Sequence, residues 1–438
     1  MTTEEWKGIL EERSQTMVDS VVGIVISLGA YVLMSVSVTD WSQLMVILMF
    51  LMAIFSITGF LWYTAAQSIA LAPHDSGLFR LSLLLVAILA PLPFSARLVL
   101  FSEIKEVAVT LLLINTAVVF AIAFLIDVLV LHKPESRKAP RSILGDLRAQ
   151  QFGLPVGSLF AFLFLLAPRE QMLGGPFAGW DIPLRALGFL FSFFVFFGIT
   201  MVAEIFVRKR IPISVDEAPQ VQKMSRVFNL KMRAVNNALF GMALGLCVFS
   251  LTDLPVEAAS DLLPPLIHFA FLFILIYVFW NKLFRVYATI HVWEEGIDLF
   301  TNIVAILVVM VPSAFRFAVL PGLETRAIGV IFFPILMVAF AAANASLYFY
   351  ASRLKRGETA FSLDIVRDFR LWAVGSLFLA FMFLASMLIP LEAIAFMDIS
   401  LQIVIWWISL VIFIVIMQVA SPPSSHKLSF KTTNTRFN

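Results

Sequence analysis

The chain has 438 residues, of which 61% are hydrophobic and only 14% are charged, with a formal net charge of +2. A soluble domain carries about 25% charged residues, so this composition excludes an ordinary soluble globular fold. No basic block with interleaved aromatic residues is present to indicate nucleic-acid binding. The composition therefore predicts a multi-pass protein whose surroundings are a lipid bilayer.

Twelve apolar runs are each long enough to cross the hydrocarbon core as a helix. The sequence thus predicts an all-α membrane protein with twelve transmembrane helices. The predicted spans are residues 17–37, 42–66, 80–100, 106–131, 151–168, 182–206, 233–251, 264–284, 297–319, 327–350, 370–389 and 398–420.

The first span contains one carboxylate, Asp19, just inside its start. Gly23, Ser27 and Tyr31 follow at four-residue spacing, so all four residues share one helix face. An acid inside a membrane span is a functional-site hypothesis by default. The alternative is that Asp19 lies at a cytosolic helix start, where free backbone N–H groups and the helix dipole satisfy it.

The charges of the connections predict the orientation. The fourth, sixth and tenth connections are rich in Lys and Arg, whereas the seventh and eleventh contain acids but no base. By the positive-inside rule the even-numbered connections and both termini are cytosolic. Whether the membrane is a prokaryotic plasma membrane or an endolysosomal membrane stays open.

An internal repeat organises the chain. Trp62 and Trp280 are 218 residues apart, and so are Gly157 and Gly375, each within an identical VGSLF. Six spans per unit give both units the same orientation, so we expect two parallel six-helix repeats. The predicted parts are a first repeat (1–206), a basic cytosolic linker (207–230), a second repeat (231–420) and a polar tail (421–438).

The start of each repeat carries a related motif. In the first helix Arg13, Met17, Val18, Asp19 and Ser20 occupy the R, F, S, D and G places of R-x-x-x-F-S-D-G. This stretch resembles the transmembrane protein 175 family of endolysosomal and prokaryotic potassium channels. Only the Arg and the Asp of the motif are retained here.

In the second repeat, Lys231 stands at the place of the motif Arg and Asn237 at the place of the Asp. Asn keeps the hydrogen-bonding shape of Asp without its charge. SITGFLW at residues 56–62 and PLPFSAR at residues 91–97 are also similar to the second and third helices of the family.

The resemblance implies a channel for potassium or other monovalent cations, lined by the first helix of each repeat. A ring of bulky aliphatic side chains, here Ile24 and Met242, would form the constriction. The next pore-lining layers would be Ser27 and Tyr31 in the first repeat and Gly245 and Phe249 in the second. The family builds its pore from four repeats, which implies a homodimer of this chain.

Other interpretations remain open. Ile24 and Met242 are also ordinary packing residues of membrane helices, as are the aromatic residues Tyr31 and Phe249. The main alternative function is a non-conducting descendant of the channel that acts as a membrane scaffold or sensor subunit. A secondary transporter is less favoured, because the spans contain little paired charge to couple ions.

Enzymatic motifs are not evident in the sequence. It has no Gly-rich phosphate loop, its five histidines are scattered, and its single cysteine, Cys247, lies inside an apolar run. We therefore expect neither an enzyme nor a bound cofactor or metal. His268, near a span start, is interpreted as a packing or interfacial residue.

The topology can be tested at residue 220, in the sixth connection. We expect a cysteine introduced there to react with a membrane-impermeant reagent only from the cytosolic side, because that connection is basic. Labelling of residue 220 from outside intact cells would contradict this orientation.

Overall fold

A computed structural model describes most of the helical chain. The described residues are 22–27, 29–31, 38, 40–71, 76–101, 104–133, 141–168, 183–210, 234–247, 263–289, 295–319, 323–353, 363–389, 394–396 and 399–420. The predicted tail (421–438) and nearly all of the predicted linker lie outside them.

The described residues are almost entirely helical. The α-helices are α1 (Val22–Tyr31), α2 (Trp41–Leu71), α3 (Ser76–Leu89), α4 (Leu92–Phe101), α5 (Lys105–Leu131), α6 (Arg141–Leu165), α7 (Leu187–Arg210), α8 (Ala234–Cys247), α9 (Leu263–Thr289), α10 (Glu295–Val319), α11 (Leu323–Arg353), α12 (Leu363–Ser386) and α13 (Leu401–Ala420). A 3₁₀ turn (Leu184–Ala186) precedes α7, and strands β1 (Ile394–Phe396) and β2 (Ile399–Ser400) form a short antiparallel pair.

Within the described ranges, eight helical segments are long and apolar enough to cross a membrane. They are Trp41–Ala65, Arg80–Phe101, Lys105–Leu131, Leu184–Val207, Leu263–Val286, Leu299–Val319, Thr325–Arg353 and Ile365–Ser386. The chain is thus an all-helical, multi-pass membrane protein. The other four predicted spans coincide with α1, α6, α8 and α13, which are not among these eight, so twelve spans and two repeats stay predictions.

The chain divides into two compact units, residues 1–336 and 337–438, with the division inside α11. This division reflects spatial compactness and does not test the predicted sequence repeat. Unit 1 holds α1 to α10 and the first part of α11. Unit 2 holds the rest of α11, α12, the β1–β2 pair and α13.

The sequence sets several helix ends. Asp40 precedes α2 and accepts hydrogen bonds from the Ser42 hydroxyl and, at 2.8 Å, from the Gln43 backbone N–H. These bonds favour the carboxylate and lower the pKa of Asp40. Between α3 and α4, Ala90 and Pro91 form a turn, because Pro91 has no N–H to continue the helix.

In unit 1, α6 packs on α5 and α7 through two glycines four residues apart. A Cβ at Gly153 would overlap Thr200 and would lie 2.8 Å from the Phe196 carbonyl oxygen on α7. A Cβ at Gly157 would lie 2.9 Å from the Phe196 side chain and 3.3 Å from the ring of Phe120 on α5. Small residues at this spacing allow membrane helices to approach closely.

A buried arginine joins the ends of the same three helices. Arg185, in the 3₁₀ turn before α7, is 2% exposed. It donates to Glu106 in the first turn of α5 at 2.9 Å, to the Leu165 carbonyl at 2.9 Å and to the Phe164 carbonyl at 3.3 Å. Both carbonyls lie at the end of α6, where the helix supplies no further N–H donors, and the Phe164 carbonyl also accepts the Ala167 backbone N–H at 3.3 Å. We call Arg185, Glu106 and these two carbonyls the arginine clamp.

Aromatic rings and a glycine hold α9, α10 and α11 together in unit 1. Phe271 and Phe333 pack on Phe315 with ring centroids 5.6 and 5.1 Å away, and the edge of His268 contacts Phe315 at 5.5 Å. A Cβ at Gly329 would overlap the backbone of α10 at Phe317. The position of His268 agrees with a packing role.

In unit 2, α12 and α13 are joined by polar bonds at the end of α12. The Trp406 indole donates to the Ser386 hydroxyl at 2.8 Å, and the Gln402 amide donates to the Ser386 carbonyl at 2.9 Å. Tyr348 on α11 packs edge-on against Trp372 on α12 with ring centroids 5.7 Å apart. These bonds satisfy polar groups that the bilayer does not solvate.

The arginine clamp yields a stability prediction. We expect Arg185→Met to lower the free energy of unfolding by about 3 kcal/mol, because it removes a charged donor from two helix-end carbonyls and from Glu106. Glu106→Gln keeps an acceptor oxygen but removes the countercharge of a guanidinium that is 2% exposed, so we expect a smaller loss of about 1–2 kcal/mol. Unfolding in detergent micelles measures both variants, and equal losses would contradict the dominant role of the α6 carbonyls.

Candidate functional site

The candidate site is built from α1 and α8, which start the two predicted repeats. On α8, Asn237, Gly241 and Gly245 follow one another at four-residue spacing and therefore share one face. All three are exposed. On α1, Gly23 and Ser27 have the same spacing but both are buried.

Helices α1 and α8 touch at Gly23. A Cβ at Gly23 would lie 2.7 Å from the Cβ of Ala238 and 3.3 Å from the Leu239 nitrogen and the Val235 oxygen. No ordinary side chain fits that space, so glycine sets how closely the two helices pack. Nearer its other end, α1 meets α4 at Gly29, where a Cβ would lie 2.8 Å from the ring of Pro93.

The glycine at the matching position of the second predicted repeat has different surroundings. Gly241 corresponds to Gly23 at the offset of 218 residues, yet a Cβ there would meet no described atom within 4 Å. The same holds for Gly245. The contact between the two helices therefore buries Gly23 of α1 but leaves Gly241 and Gly245 of α8 exposed.

The predicted pore-lining residues differ in exposure. Ile24 is 37% exposed, Gly245 is exposed, and Met242 and Tyr31 are half-buried. Ser27 is fully buried, and its hydroxyl has no hydrogen-bond partner among the described residues. Within one chain, Ile24 and Gly245 thus reach the surface and Ser27 does not.

Three of the four predicted motif positions and one predicted pore-lining residue lie outside the described ranges. The motif positions are Arg13, Asp19 and Lys231, and the pore-lining residue is Phe249. The predicted role of Asp19 and the predicted aromatic layer at Phe249 therefore stay predictions.

The fourth motif position, Asn237, binds a tryptophan. The Trp280 indole on α9 donates to the Asn237 side-chain oxygen at 3.0 Å. This bond ties the first turn of α8 to α9. Asn237 was selected from the sequence, but its partner was not. The sequence does contain a signal for this pair, because Asp19 and Trp62 are separated by 43 residues, as are Asn237 and Trp280.

Sequence reasoning also missed Asp127 on α5, which is fully buried and interacts with its neighbours. An acid inside an apolar run is the signal that had drawn attention to Asp19. Asp127 lies inside the predicted span 106–131, near the end of α5, and was not singled out there.

The site holds little formal charge among the described residues. Asn237 is neutral. The residues around it are glycines, which have no side chain, and residues with aliphatic side chains. No group of three or more His, Cys, Asp or Glu that could hold a metal ion occurs in the described part of the chain. The arrangement suits close packing of helices.

The sequence matches no family model and no curated protein.

The α1–α8 contact yields a second stability prediction. We expect Gly23→Leu to destabilise the fold by roughly 1–3 kcal/mol, because the new side chain overlaps Ala238 and the α8 backbone. Gly198→Leu is the matched control, since Gly198 is an exposed helical glycine on α7 with no described neighbour within 4 Å. Its effect should stay within about 0.5 kcal/mol. Equal unfolding temperatures of the two variants in detergent would refute the close contact.

Proposed function

We propose that this protein is a channel for potassium or other monovalent cations, formed by a homodimer of chains that each contain two parallel six-helix repeats. Both termini are cytosolic in this proposal. The observation that carries it is the direct packing of α1 on α8 at Gly23, with Ile24 exposed beside the contact. Two helices from corresponding positions of the repeats are thus adjacent, as a shared ion path requires.

The proposed gate is a dry ring made of Ile24 and Met242. These residues correspond at the offset of 218, and each adds an aliphatic or thioether side chain beside a glycine. Two copies supply two of each. Such a ring offers no oxygen ligands, so an ion passes with its water, and the width of the ring sets the barrier.

The Trp280–Asn237 bond supports this gate by positioning α8. It fixes the first turn of α8 against α9, about one turn before Met242. Met242 can contribute to the ring only if α8 does not rotate about its axis.

One observation favours the alternative, a non-conducting scaffold or sensor subunit. Ser27, the hydroxyl of the predicted pore face, is fully buried, so it supplies no polar atom to a water path within one chain. Tyr31 and Phe249 would add large aromatic rings at one depth. If both face the axis in two copies, four rings occlude the path.

Liposomal potassium flux separates the two functions. We expect Ile24→Asn/Met242→Asn to raise flux about tenfold or more, because amides wet the ring; tenfold corresponds to ~1.4 kcal/mol of barrier.

The matched control is Ile114→Asn/Met201→Asn, which changes an Ile on α5 and a Met on α7 that are 46% and 56% exposed. Both residues are exposed, and neither belongs to the proposed ring. The potassium flux of this variant should therefore equal that of the wild type. Background flux in wild type and the ring variant alike, with both correctly folded, would abandon the channel and favour the scaffold.

A further inference from the structure

We propose that a buried polar layer between α2, α5, α6 and α7 binds an alkali-metal cation, Na⁺ or K⁺. The layer consists of one residue from each helix, and we call it the oxygen layer: Thr64, Asp127, Gln150 and Thr200. All four residues lie inside unit 1, and none belongs to α1 or α8. The inference therefore does not depend on the proposed channel or on its dimer.

An aromatic contact shows which faces of the four helices meet. Phe196 on α7 packs on Phe60 of α2 and on Phe120 of α5, with ring centroids 4.5 and 5.2 Å apart. On α6, a Cβ at Gly157 would lie 2.9 Å from the Cβ of Phe196 and 3.3 Å from the ring of Phe120. All four helices therefore turn these faces towards one another.

On α2 and α7 the oxygen layer lies one turn beyond these rings. Thr64 follows Phe60 by four residues, and Thr200 follows Phe196 by four, so each threonine continues the packed face of its helix. The Thr200 hydroxyl points at α6, where it occupies the space that a Cβ at Gly153 would need. Both hydroxyls are thus held between helices.

On α5 and α6 the layer lies two turns from the rings. Asp127 follows Phe120 by seven residues, and Gln150 precedes Gly157 by seven, which keeps both on the packed faces. The two helices are antiparallel, because the arginine clamp joins the start of α5 to the end of α6. The two steps therefore lead to one depth. There the Thr64 hydroxyl donates to the Gln150 side-chain oxygen at 3.2 Å.

The oxygen layer is closed to solvent. Thr64 and Asp127 are fully buried, whereas Gln150 and Thr200 are 3% and 8% exposed. The Thr200 hydroxyl has no hydrogen-bond partner among the described residues. Asp127 interacts with its neighbours, yet its carboxylate lies in a span that water does not solvate. A buried carboxylate needs a positive charge or a proton beside it.

The chemistry of the layer favours an alkali-metal cation. Carboxylate, hydroxyl and amide oxygens are hard ligands, and the four residues include neither His nor Cys, which bind transition metals. One carboxylate balances one positive charge, whereas a divalent ion would keep an uncompensated charge in a buried site. Arg148, two residues before Gln150, is exposed, and Glu204 on α7 is half-buried one turn beyond Thr200. Neither belongs to the buried layer.

Thermal unfolding in detergent tests the site on the full chain. At constant ionic strength, we expect replacement of N-methylglucamine chloride by NaCl or KCl to raise the unfolding temperature of the wild type by about 2 °C or more. The rise should saturate with cation concentration, because only the folded protein holds the four oxygens together. The salt that reaches half of the rise at the lower concentration identifies the preferred ion.

Two variants and a matched control locate the effect. Asp127→Asn keeps the shape of the side chain, removes its charge and should abolish the cation-dependent rise. Thr200→Val keeps the branched shape without the oxygen, so the half-saturating concentration should increase about tenfold. Thr116→Val is the control, since Thr116 is an equally buried threonine on α5 that lies about 16 Å along the helix from Asp127. It should leave the cation-dependent rise unchanged.

A binding measurement on the wild type keeps the test independent of how the variants fold. We expect purified protein to bind radioactive sodium or rubidium, the latter standing in for potassium, and the unlabelled chloride to compete. Equal unfolding temperatures in all three salts, with no competable binding, would overturn the site and leave Asp127 as the partner of a base from the fourth connection. A saturable rise that persists in folded Asp127→Asn would overturn it as well.

Discussion

Close backbone approach at glycine is the interaction on which the described helix packing depends. Lipid tails are as apolar as leucine, so burial of apolar surface does not by itself hold membrane helices together. The stability of helix packing then depends on how closely the two helix backbones approach each other. Gly153 and Gly157 bring α6 against α7 and α5, Gly329 brings α11 against the backbone of α10, and Gly23 brings α1 against α8. In each case a Cβ would separate the helices and weaken the dispersion contacts between them.

Hydrogen bonds and an ion pair near helix ends add to the packing at the glycines. The arginine clamp ties the start of α5 to the end of α6, and the Trp280–Asn237 bond ties the start of α8 to α9. A glycine face allows sliding and rotation, because it has no projecting side chain to fix register. A directional bond removes that freedom. Distance and register are thus set by different residue types at different depths.

Much of the fold could be predicted from the sequence, because apolar runs and prolines report on single helices. The eight long apolar helices fall at predicted spans, whereas the break between α3 and α4 at Pro91 lies inside the single predicted span 80–100. Helix α6 begins ten residues before its predicted span, at Arg141, because a charged but helical turn precedes the apolar run. The short β1–β2 pair was not expected, since so few residues carry no periodicity.

The contacts of the site were less predictable. The predicted repeat pairs Gly23 with Gly241, but nothing in the sequence distinguished the covered glycine from the open one. The burial of Ser27 was not predicted for the same reason, because the neighbour of a helix face follows from three-dimensional packing. The clamp residue Arg185 was read only as part of a span, since its partners Glu106 and Leu165 are distant in the chain.

The covalent link between α1 and α8 has a consequence for how packing depends on concentration. Two helices of one chain meet at an effective concentration set by the connecting segment, however dilute the protein is in its membrane. The Gly23 contact therefore forms once per molecule, as part of folding. A contact between separate molecules obeys mass action and strengthens as the protein becomes crowded in the bilayer. Because α1 and α8 belong to one chain, their packing is thus insensitive to expression level.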